Sequence, residues 1–404
     1  MKKWIFISLT ALFLTTCQRP EIEIVDFDSF HVTSVKYSDV IVDGALNPEI
    51  HTMELGDEDG SKIASTSLAN LVSHLVETAK CNKLIQIAGT YTGHDVNGVP
   101  LTLSGKVILP AKGQIRNMVI VSHWTIGANR ECPSECFPLE GVLAAKGYAV
   151  VMADYIGYGV TSNLVHPYMH VESTARSVVD MALAVKPYLE AIGRKPESDK
   201  VILVGYSQGG STTLGVMDML QDGYKTELPI EMVFAGGGPH DLAATFDVAM
   251  LEDKTGIPCA IPMIVQGIKN GENLNLNLSD FFQPILMEHL DDWINSKQYT
   301  VGEINTMLNA TKVSDLMTEV GRDKSNPQTA ELYRALMWNS TLLFTPRSPV
   351  YIFHSMDDNT VPFANALKAE EYFKGNDVTY VFDHYGSHQA GAVKFLLKVI
   401  KALK

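Results

Sequence analysis

The fold is decided by the stretch Val201-Ile-Leu-Val-Gly-Tyr-Ser-Gln-Gly-Gly210. Its first four residues are apolar and mostly β-branched, a pattern that predicts a buried strand. Residues 205–209 then match the pattern G-x-S-x-G, and the residues after them predict a helix. On so tight a strand-to-helix turn the hydroxyl of Ser207 is exposed above the sheet edge, and a Cβ at the glycine positions would collide with a neighbouring strand or helix. Ser207 is therefore a candidate nucleophile.

Acidic and imidazole side chains that could serve this serine occur in the last fifth of the chain. A predicted strand is followed by Asp357 and Asp358, and the next predicted strand is followed by His384 and His388. A serine hydroxyl is a weak nucleophile unless a base takes its proton, and imidazole can do so near neutral pH. A carboxylate holds that imidazole in the required tautomer and stabilises the imidazolium. The sequence therefore predicts a Ser-His-Asp catalytic triad.

The motifs and their order resemble the α/β-hydrolases, in particular their secretory lipase and esterase branch. The D-x-x-V-P pattern of that family's acid loop matches residues 358–362, so the resemblance favours Asp358 over Asp357. The family carries its histidine between the last strand and the last helix, where His388 has small flanking residues that His384 lacks. The chain order serine, acid, histidine is that of the family. The implied catalytic residues are Ser207, Asp358 and His388.

The same resemblance assigns the backbone amides that would bind an oxyanion. Residues 123–127 follow a predicted strand and resemble the H-G-x-x-G loop of lipases and esterases, with Trp124 in place of the first glycine. One N–H is expected from Gln208, the residue after the nucleophile. The other is expected from Thr125 or Trp124, and alignment favours Thr125. Such donors contribute about 3–4 kcal/mol each to transition-state stabilisation.

Upstream motifs extend the resemblance to roughly residues 80–404. Two predicted strands are joined by a turn with Asn97-Gly98, which is a strong hairpin signal, and residues 154–159 resemble the family's D-Y-x-G-x-G loop. The expected fold class is α/β, an α/β-hydrolase fold with a mostly parallel sheet, an antiparallel N-terminal hairpin, helices on both faces and an inserted helical cap. The catalytic domain is predicted to span residues 80–242 and 347–404.

About a hundred residues separate the two parts of this predicted domain, too many for a plain loop. Residues 243–346 are therefore predicted to form a helical cap or lid over Ser207, and the hypothesis is that the cap sets substrate size. Its large side chains could line an acyl pocket, although for any one of them a place in the cap's own core is the favoured alternative. These side chains are Phe281, Phe282, Trp293, Tyr333, Met337 and Trp338.

The amino terminus carries export signals. Residues 1–16 comprise a short basic start and an apolar run too short to span a bilayer, which predicts a signal peptide. Leu14-Thr-Thr-Cys17 resembles the bacterial lipoprotein box, with Thr16 as a departure, so Cys17 is the expected lipidation site. Residues 17–79 are predicted to be a tether and lead-in. The protein is expected to be exported and membrane-anchored, periplasmic or on the cell surface, with ordinary secretion as the alternative.

Four cysteines remain beyond Cys17. An even number in an exported chain permits disulfides, and Cys132–Cys136 is the first expectation, with Cys81–Cys259 possible but without local support. A zinc site is disfavoured because C-x-x-x-C has no second pair nearby. His166 and His170 with Glu172 have ligand-like spacing, but hydrogen-bonding or pocket-lining roles are the commoner outcome. We expect no metal and no cofactor.

Composition limits the function classes. The 404 residues carry a net charge of −14, which makes nucleic acid an improbable partner because phosphate binding needs clustered Lys and Arg. The resemblance implies a serine hydrolase that cleaves carboxylic esters, of small molecules, lipids or acylated glycans, through an acyl-enzyme. A peptidase or acyltransferase on the same triad, and a non-catalytic binding protein that retains the fold, are the alternatives.

Overall fold

The structure, a computed structural model, describes residues 27–40 and 78–403. Nine strands form one sheet in the spatial order β1-β2-β3-β5-β4-β6-β7-β8-β9. The neighbouring pairs β1–β2, β2–β3 and β3–β5 are antiparallel, and the remaining pairs, from β5–β4 to β8–β9, are parallel. The strands are β1 (His31–Asp39), β2 (Lys83–His94), β3 (Pro100–Pro110), β4 (Met118–Ser122), β5 (Ala149–Ala153), β6 (Val201–Tyr206), β7 (Ile230–Gly236), β8 (Val350–Ser355) and β9 (Val378–Asp383).

Helices cover both faces of this sheet, because its central strands are apolar along their whole length and must be buried on both sides. Every residue of β4, β5 and β6 is buried. One apolar core packs these strands against α1 (Val171–Ala191) and α2 (Gln208–Gly223). The other packs them against the 3₁₀ helix Leu139–Lys146 and the last helix, His388–Ala402. The predicted α/β-hydrolase fold and its N-terminal hairpin β2–β3 are confirmed.

The edge strand β1 lies within the segment for which the sequence predicted only a tether. It pairs antiparallel with β2 from His31 to Asp39. Its residues alternate weakly between polar and apolar, and most are exposed or half-buried, so the sequence carries little strand signal. Phe30 anchors it: the ring is fully buried against Tyr188 and fills the space that a Cβ at Gly89 would occupy. Of the predicted tether, residues 17–26 and 41–77 are outside the described residues.

A helical segment, residues 242–349, leaves the sheet after β7 and returns at β8. Its α-helices are α3 (Leu242–Glu252), α4 (Ala260–Gly271), α5 (Leu278–Phe281), α6 (Pro284–His289), α7 (Val301–Leu308), α8 (Glu319–Arg322) and α9 (Pro327–Trp338). They enclose an apolar core of their own, which also takes in Tyr168 and Met169 from the sheet domain. The last two helices of the chain are α10 (Ala364–Tyr372) and α11 (His388–Ala402).

The six large side chains that the sequence singles out in this segment are not among the described residues that line the cavity beside Ser207. Phe281 and Phe282 are buried in the core of the segment, and Trp293 and Tyr333 pack against that core. Met337 and Trp338 are exposed at the surface. The alternative prediction, a structural role within the segment, therefore holds for the buried members.

Within residues 27–40 and 78–403, helices long and apolar enough for a bilayer crossing do not occur.

Candidate active site

Ser207 lies on the turn between β6 and α2 in a backbone conformation that non-glycine residues rarely adopt. Its φ is 57° and its ψ is −125°, and its N–H donates to Gly236 O at 2.9 Å. Glycine is needed on either side because a Cβ on Gly205 would lie 2.2 Å from Gly209 O, and a Cβ on Gly209 would lie 2.0 Å from Ser122 O. The flanking glycines therefore let α2 approach the sheet closely enough to hold this strained turn.

The structure brings the three predicted catalytic side chains into one hydrogen-bonded chain. Ser207 Oγ lies 2.8 Å from His388 Nε2, and His388 Nδ1 lies 2.7 Å from Asp358 Oδ2. With the imidazole proton on Nδ1, the serine hydroxyl donates to Nε2 and Nδ1–H donates to the carboxylate. His388 is the first residue of α11, and Tyr206 OH donates to its carbonyl at 2.8 Å. Three separate loops thus meet at the carboxyl ends of parallel strands.

Asp358 is held as a buried carboxylate. Its Oδ1 accepts hydrogen bonds from the N–H groups of Thr360 at 2.9 Å and Val361 at 2.8 Å. Burial, the largest influence, raises the pKa of Asp358, but neighbouring His388 and His354 and the Thr360 amide together bring the pKa below its usual range. His354 Nε2 is 3.7 Å from Asp358 Oδ2, and burial lowers the pKa of His354. Asp358 therefore has the charge that orients His388.

The competing residues form a separate pair. Asp357 Oδ1 lies 2.7 Å from His384 Nδ1, and these side chains are 44% and 68% exposed. Their hydrogen bond, foremost, and the charge of Asp357 raise the pKa of His384. The side chains of Asp358 and His388, in contrast, are 0% and 10% exposed. The chain thus carries two Asp-His pairs side by side, and only the buried pair reaches the serine.

A cavity of about 370 Å³ opens beside Ser207 and His388. Around these two residues, its walls come from the loop with Trp124 and Thr125, the turn and 3₁₀ helix at residues 131–140, and the helical segment through residues 256–257 and 300–305. Residues 359, 360, 389 and 392, next to the acid and the histidine, also line it. Most of the lining side chains are apolar or uncharged. Glu140 is an exception, since it lies in the wall and is 5% exposed.

Tyrosine hydroxyls hold the predicted oxyanion loop, residues 123–127, in place. Tyr155 OH donates to His123 O at 3.2 Å, and Tyr158 OH donates to Ile126 O at 2.5 Å. Tyr168 OH lies 2.7 Å from Thr125 Oγ1. Tyr155 and Tyr158 belong to the D-Y-x-G-x-G stretch, whose sequence carries no local signal of this role. Each is almost fully buried, so the loop is positioned by groups that exclude water.

The other predicted oxyanion donor is positioned by a histidine. The amide of Gln208 begins α2 and so has no acceptor within the helix. The side-chain Nε2 of Gln208 lies 2.9 Å from His166 Nε2, and His166 Nδ1 is 2.7 Å from Ile156 O. His166 therefore donates through Nδ1 and accepts from Gln208. His170 instead contacts Ser173 Oγ at 2.8 Å, so the ligand-like spacing of the two histidines serves separate hydrogen bonds.

The predicted Cys132–Cys136 disulfide is not formed in this structure, and both sulfurs are thiols. Cys132 Sγ lies 3.4 Å from Ser134 Oγ, and Cys136 Sγ donates to Glu131 O at 3.2 Å. The turn closes through its backbone instead, since Cys136 N donates to Cys132 O at 3.1 Å. The buried ammonium of Lys106 donates to Cys136 O as well. These contacts direct the two sulfurs to different partners.

Two further predictions concern other parts of the chain. Cys17 and the signal peptide, residues 1–16, lie outside the described residues. Across residues 27–40 and 78–403, no group of three or more His, Cys, Asp or Glu side chains is arranged to hold a metal ion. Cys81 and Cys259 are both buried thiols.

Comparison with known proteins agrees with the fold. The model of the secretory lipase family matches residues 135–396. The rice cell wall degrading esterase LipA from Xanthomonas oryzae, in a mutant form, superposes with a TM-score of 0.69 at 24% identity, over 82% of this chain and 92% of that one. Candida antarctica lipase A superposes with a TM-score of 0.57 at 18% identity, over 76% and 73%. At these identities the structural likeness shows the fold alone.

No curated protein matches the chain by sequence. The family match nevertheless covers both the nucleophile turn and the histidine loop, and it extends over most of the chain. The chain therefore belongs to the secretory lipase family and is a carboxylic ester hydrolase with the α/β-hydrolase fold.

Proposed function

We propose that the protein cleaves carboxylic esters through an acyl-enzyme formed on Ser207. The observation that carries this proposal is the continuous hydrogen-bond chain from Ser207 Oγ through His388 to buried Asp358, with 2.8 and 2.7 Å between the paired atoms. As Ser207 Oγ bonds to the acyl carbon, its proton passes to His388 Nε2. His388 then gives that proton to the leaving alcohol. Water oxygen then bonds to the acyl carbon as His388 Nε2 takes a proton from the water. The acyl bond to Ser207 Oγ breaks, the carboxylic acid leaves, and the proton on His388 returns to Ser207 Oγ.

The negative charge that develops on the acyl oxygen needs donors that are already in place. We assign these to the backbone N–H of Gln208 and that of Thr125 or Trp124. Support comes from the tyrosine hydroxyls that hold residues 123–127 and from the contact of His166 with the Gln208 side chain. Donors positioned in this way stabilise the transition state without reorganising during the reaction.

The helical segment is proposed to act as the cap that limits substrate size. Ile257, Thr300 and Val301 line the cavity from this segment. Gly127 packs so closely against it that a Cβ would lie 2.5 Å from Tyr299 O. Val301→Trp is expected to shift preference toward shorter acyl chains, whereas Leu251→Trp, at a position that is 87% exposed on the same segment, is the matched control. An unchanged chain-length profile in Val301→Trp would contradict the role of the cap.

Export and a lipid anchor at Cys17 are proposed from the sequence and from membership of a secretory family. The acylated Cys17 would become the first residue of the mature chain. Metabolic labelling with an alkyne fatty acid tests this. The expected result is label in the membrane fraction for the natural chain and none for Cys17→Ser. Label retained by Cys17→Ser, or unlabelled soluble protein from the natural chain, would exclude the anchor.

Hydrolysis of p-nitrophenyl esters from acetate to palmitate tests the central proposal. The protein is produced from residue 18 onward, with Ser207→Ala as the control. Turnover by the unmutated protein and none by Ser207→Ala is the expected result, and a fluorophosphonate probe should label only the former. Ester turnover that survives in Ser207→Ala would refute the proposed nucleophile. Folded protein with neither turnover nor labelling would favour a non-catalytic role.

A further inference from the structure

Glu140 is a carboxyl group in the wall of the active-site cavity that the proposed triad chemistry does not use. It is the second residue of the 3₁₀ helix Leu139–Lys146, and it is 5% exposed. The cavity that it lines also contains Ser207 and His388. Within the described part of the chain, its carboxylate accepts a hydrogen bond from its own backbone N–H and from no other residue. A buried carboxylate with so few partners is unfavourable unless something else bonds to it.

Three other polar side chains in the wall, those of Glu131, Asn305 and Asn359, differ from Glu140 because backbone amides already donate to them. Glu131 Oε2 accepts from Gly127 N at 3.0 Å and from Ala128 N at 2.9 Å. Asn305 Oδ1 accepts from Cys259 N at 2.9 Å, and Asn359 Oδ1 accepts from His388 N at 3.3 Å. These side chains hold the wall together. Glu140 is left with acceptor capacity directed at whatever occupies the cavity.

The character of the cavity defines the ligand chemistry. The described residues that line it include no Lys or Arg, so the cavity offers no cation to a carboxylate or phosphate. Apolar lining by Trp124, Phe137 and Leu139 favours a hydrocarbon frame. A buried carboxylate in such a wall selects a group that donates a hydrogen bond to it. A hydroxyl meets this description, and an ether oxygen of similar size does not.

We propose that Glu140 is a specificity residue that accepts a hydrogen bond from a hydroxyl on the substrate, so that the enzyme prefers hydroxyl-bearing esters over their alkyl counterparts. This inference rests on the proposed function, since it concerns the substrate of the same cavity. Burial raises the pKa of Glu140 to about 7. Assays are therefore run at about pH 8.5, where the group is ionised and can only accept.

The test compares matched esters that differ only in this hydroxyl. On the acyl side, p-nitrophenyl esters of 3-hydroxybutyric, 6-hydroxyhexanoic and 8-hydroxyoctanoic acid are compared with their methoxy and unsubstituted forms. On the alcohol side, glycerol monobutyrate is compared with propyl butyrate. A hydrogen bond to a charged group predicts that kcat/KM for the best hydroxylated ester exceeds that of its methoxy form by about tenfold or more.

Variants of Glu140 assign that preference. Glu140→Leu should abolish the hydroxyl preference, so that the ratio of kcat/KM for the hydroxylated ester to that for its methoxy form falls to about one. Glu140→Gln keeps an acceptor without the charge, so it should reduce the preference only in part, and it serves if the leucine variant does not fold. No hydroxyl preference in the unmutated enzyme, or a preference unchanged in both variants, overturns the inference. Ser207→Ala is assayed in parallel. If it loses all turnover, the proposed ester hydrolysis stands whether or not Glu140 sets a hydroxyl preference, so failure of this inference can be told apart from failure of the proposed function.

Discussion

The two neighbouring Asp-His pairs provide a test of the proposed triad with a built-in control. Asp358→Asn replaces the buried carboxylate, whereas Asp357→Asn makes the same chemical change one residue earlier, in the exposed pair with His384. Both changes conserve side-chain volume. If Asp358→Asn and Asp357→Asn differ in activity, the difference therefore shows that the position of the carboxylate matters. Loss of any one carboxylate from this loop would not explain it.

The expected magnitude follows from the contacts of Asp358. Its Oδ1 accepts from two backbone amides, so the oxygen of an asparagine would stay there and its NH₂ would face His388 Nδ1. An amide donor forces Nδ1 to become the acceptor and places the ring proton on Nε2, toward Ser207 Oγ. The histidine then cannot take the serine proton. We expect kcat to fall about 10³–10⁴-fold, equivalent to roughly 4–5.5 kcal/mol of transition-state stabilisation.

Asp357→Asn should leave kcat within about twofold of the unmutated value, because water and salt screen an exposed pair. The assay is the initial rate on a short-chain p-nitrophenyl ester, normalised to active sites by the burst of p-nitrophenol, with thermal melts to confirm that both variants fold. More than about a tenth of the activity remaining in folded Asp358→Asn, or an equal loss in both variants, would refute the assignment of the acid.

Three further predictions concern the framework of the site. Tyr158→Phe leaves the buried carbonyl of Ile126 without its donor, so the free energy of unfolding should fall by about 1–3 kcal/mol and kcat should fall more than substrate affinity. Steady-state kinetics that match those of the unmutated enzyme would argue against a positioning role for Tyr158. Gly209→Ala should destabilise the fold by several kcal/mol in denaturant titrations because its Cβ would lie 2.0 Å from Ser122 O, whereas Gly223→Ala in the same helix has open space and should be neutral or slightly stabilising. Between about pH 4.5 and 7 the unfolded chain loses the Glu140 proton while the folded chain keeps it, so this group lowers the free energy of unfolding as pH rises. Across that range Glu140→Gln should gain up to about 3 kcal/mol of stability relative to the unmutated protein, and parallel plots of unfolding free energy against pH would contradict the raised pKa of Glu140.

Local patterns were sufficient to predict the sheet from β2 onward and the G-x-S-x-G turn that carries Ser207. The apolar runs of β4, β5 and β6 are buried along their whole length, and such strands carry an unbroken hydrophobic signal. The G-x-S-x-G turn depends on glycines because its backbone contacts the neighbouring backbone directly, as Gly209 does at Ser122 O. The glycines themselves are visible in the sequence, so the turn can be predicted from it. In contrast, β1 has weak alternation, and its anchor Phe30 packs against Gly89 and Tyr188, which are far away in the chain.

The contacts that position the site could not be predicted for the same reason. Tyr158 and His166 act on Ile126 and Gln208 across 32 and 42 residues of sequence, and neither has a local signature of that role. The proposed disulfide was an inference from spacing, yet the side chains of Cys132 and Cys136 have different partners in the folded turn.

By itself, then, the sequence determined the strands and helices from β2 onward, the nucleophile turn and the two loops that carry the candidate acids and histidines, because each depends on residues within about ten positions of one another. Tertiary structure decided which Asp-His pair reaches Ser207, how the oxyanion loop is held and that Glu140 lies in the cavity wall. These outcomes depend on burial and on distances between remote segments. Desolvation strengthens a hydrogen bond or shifts a pKa only where the fold excludes water, and that exclusion is a property of the packed chain.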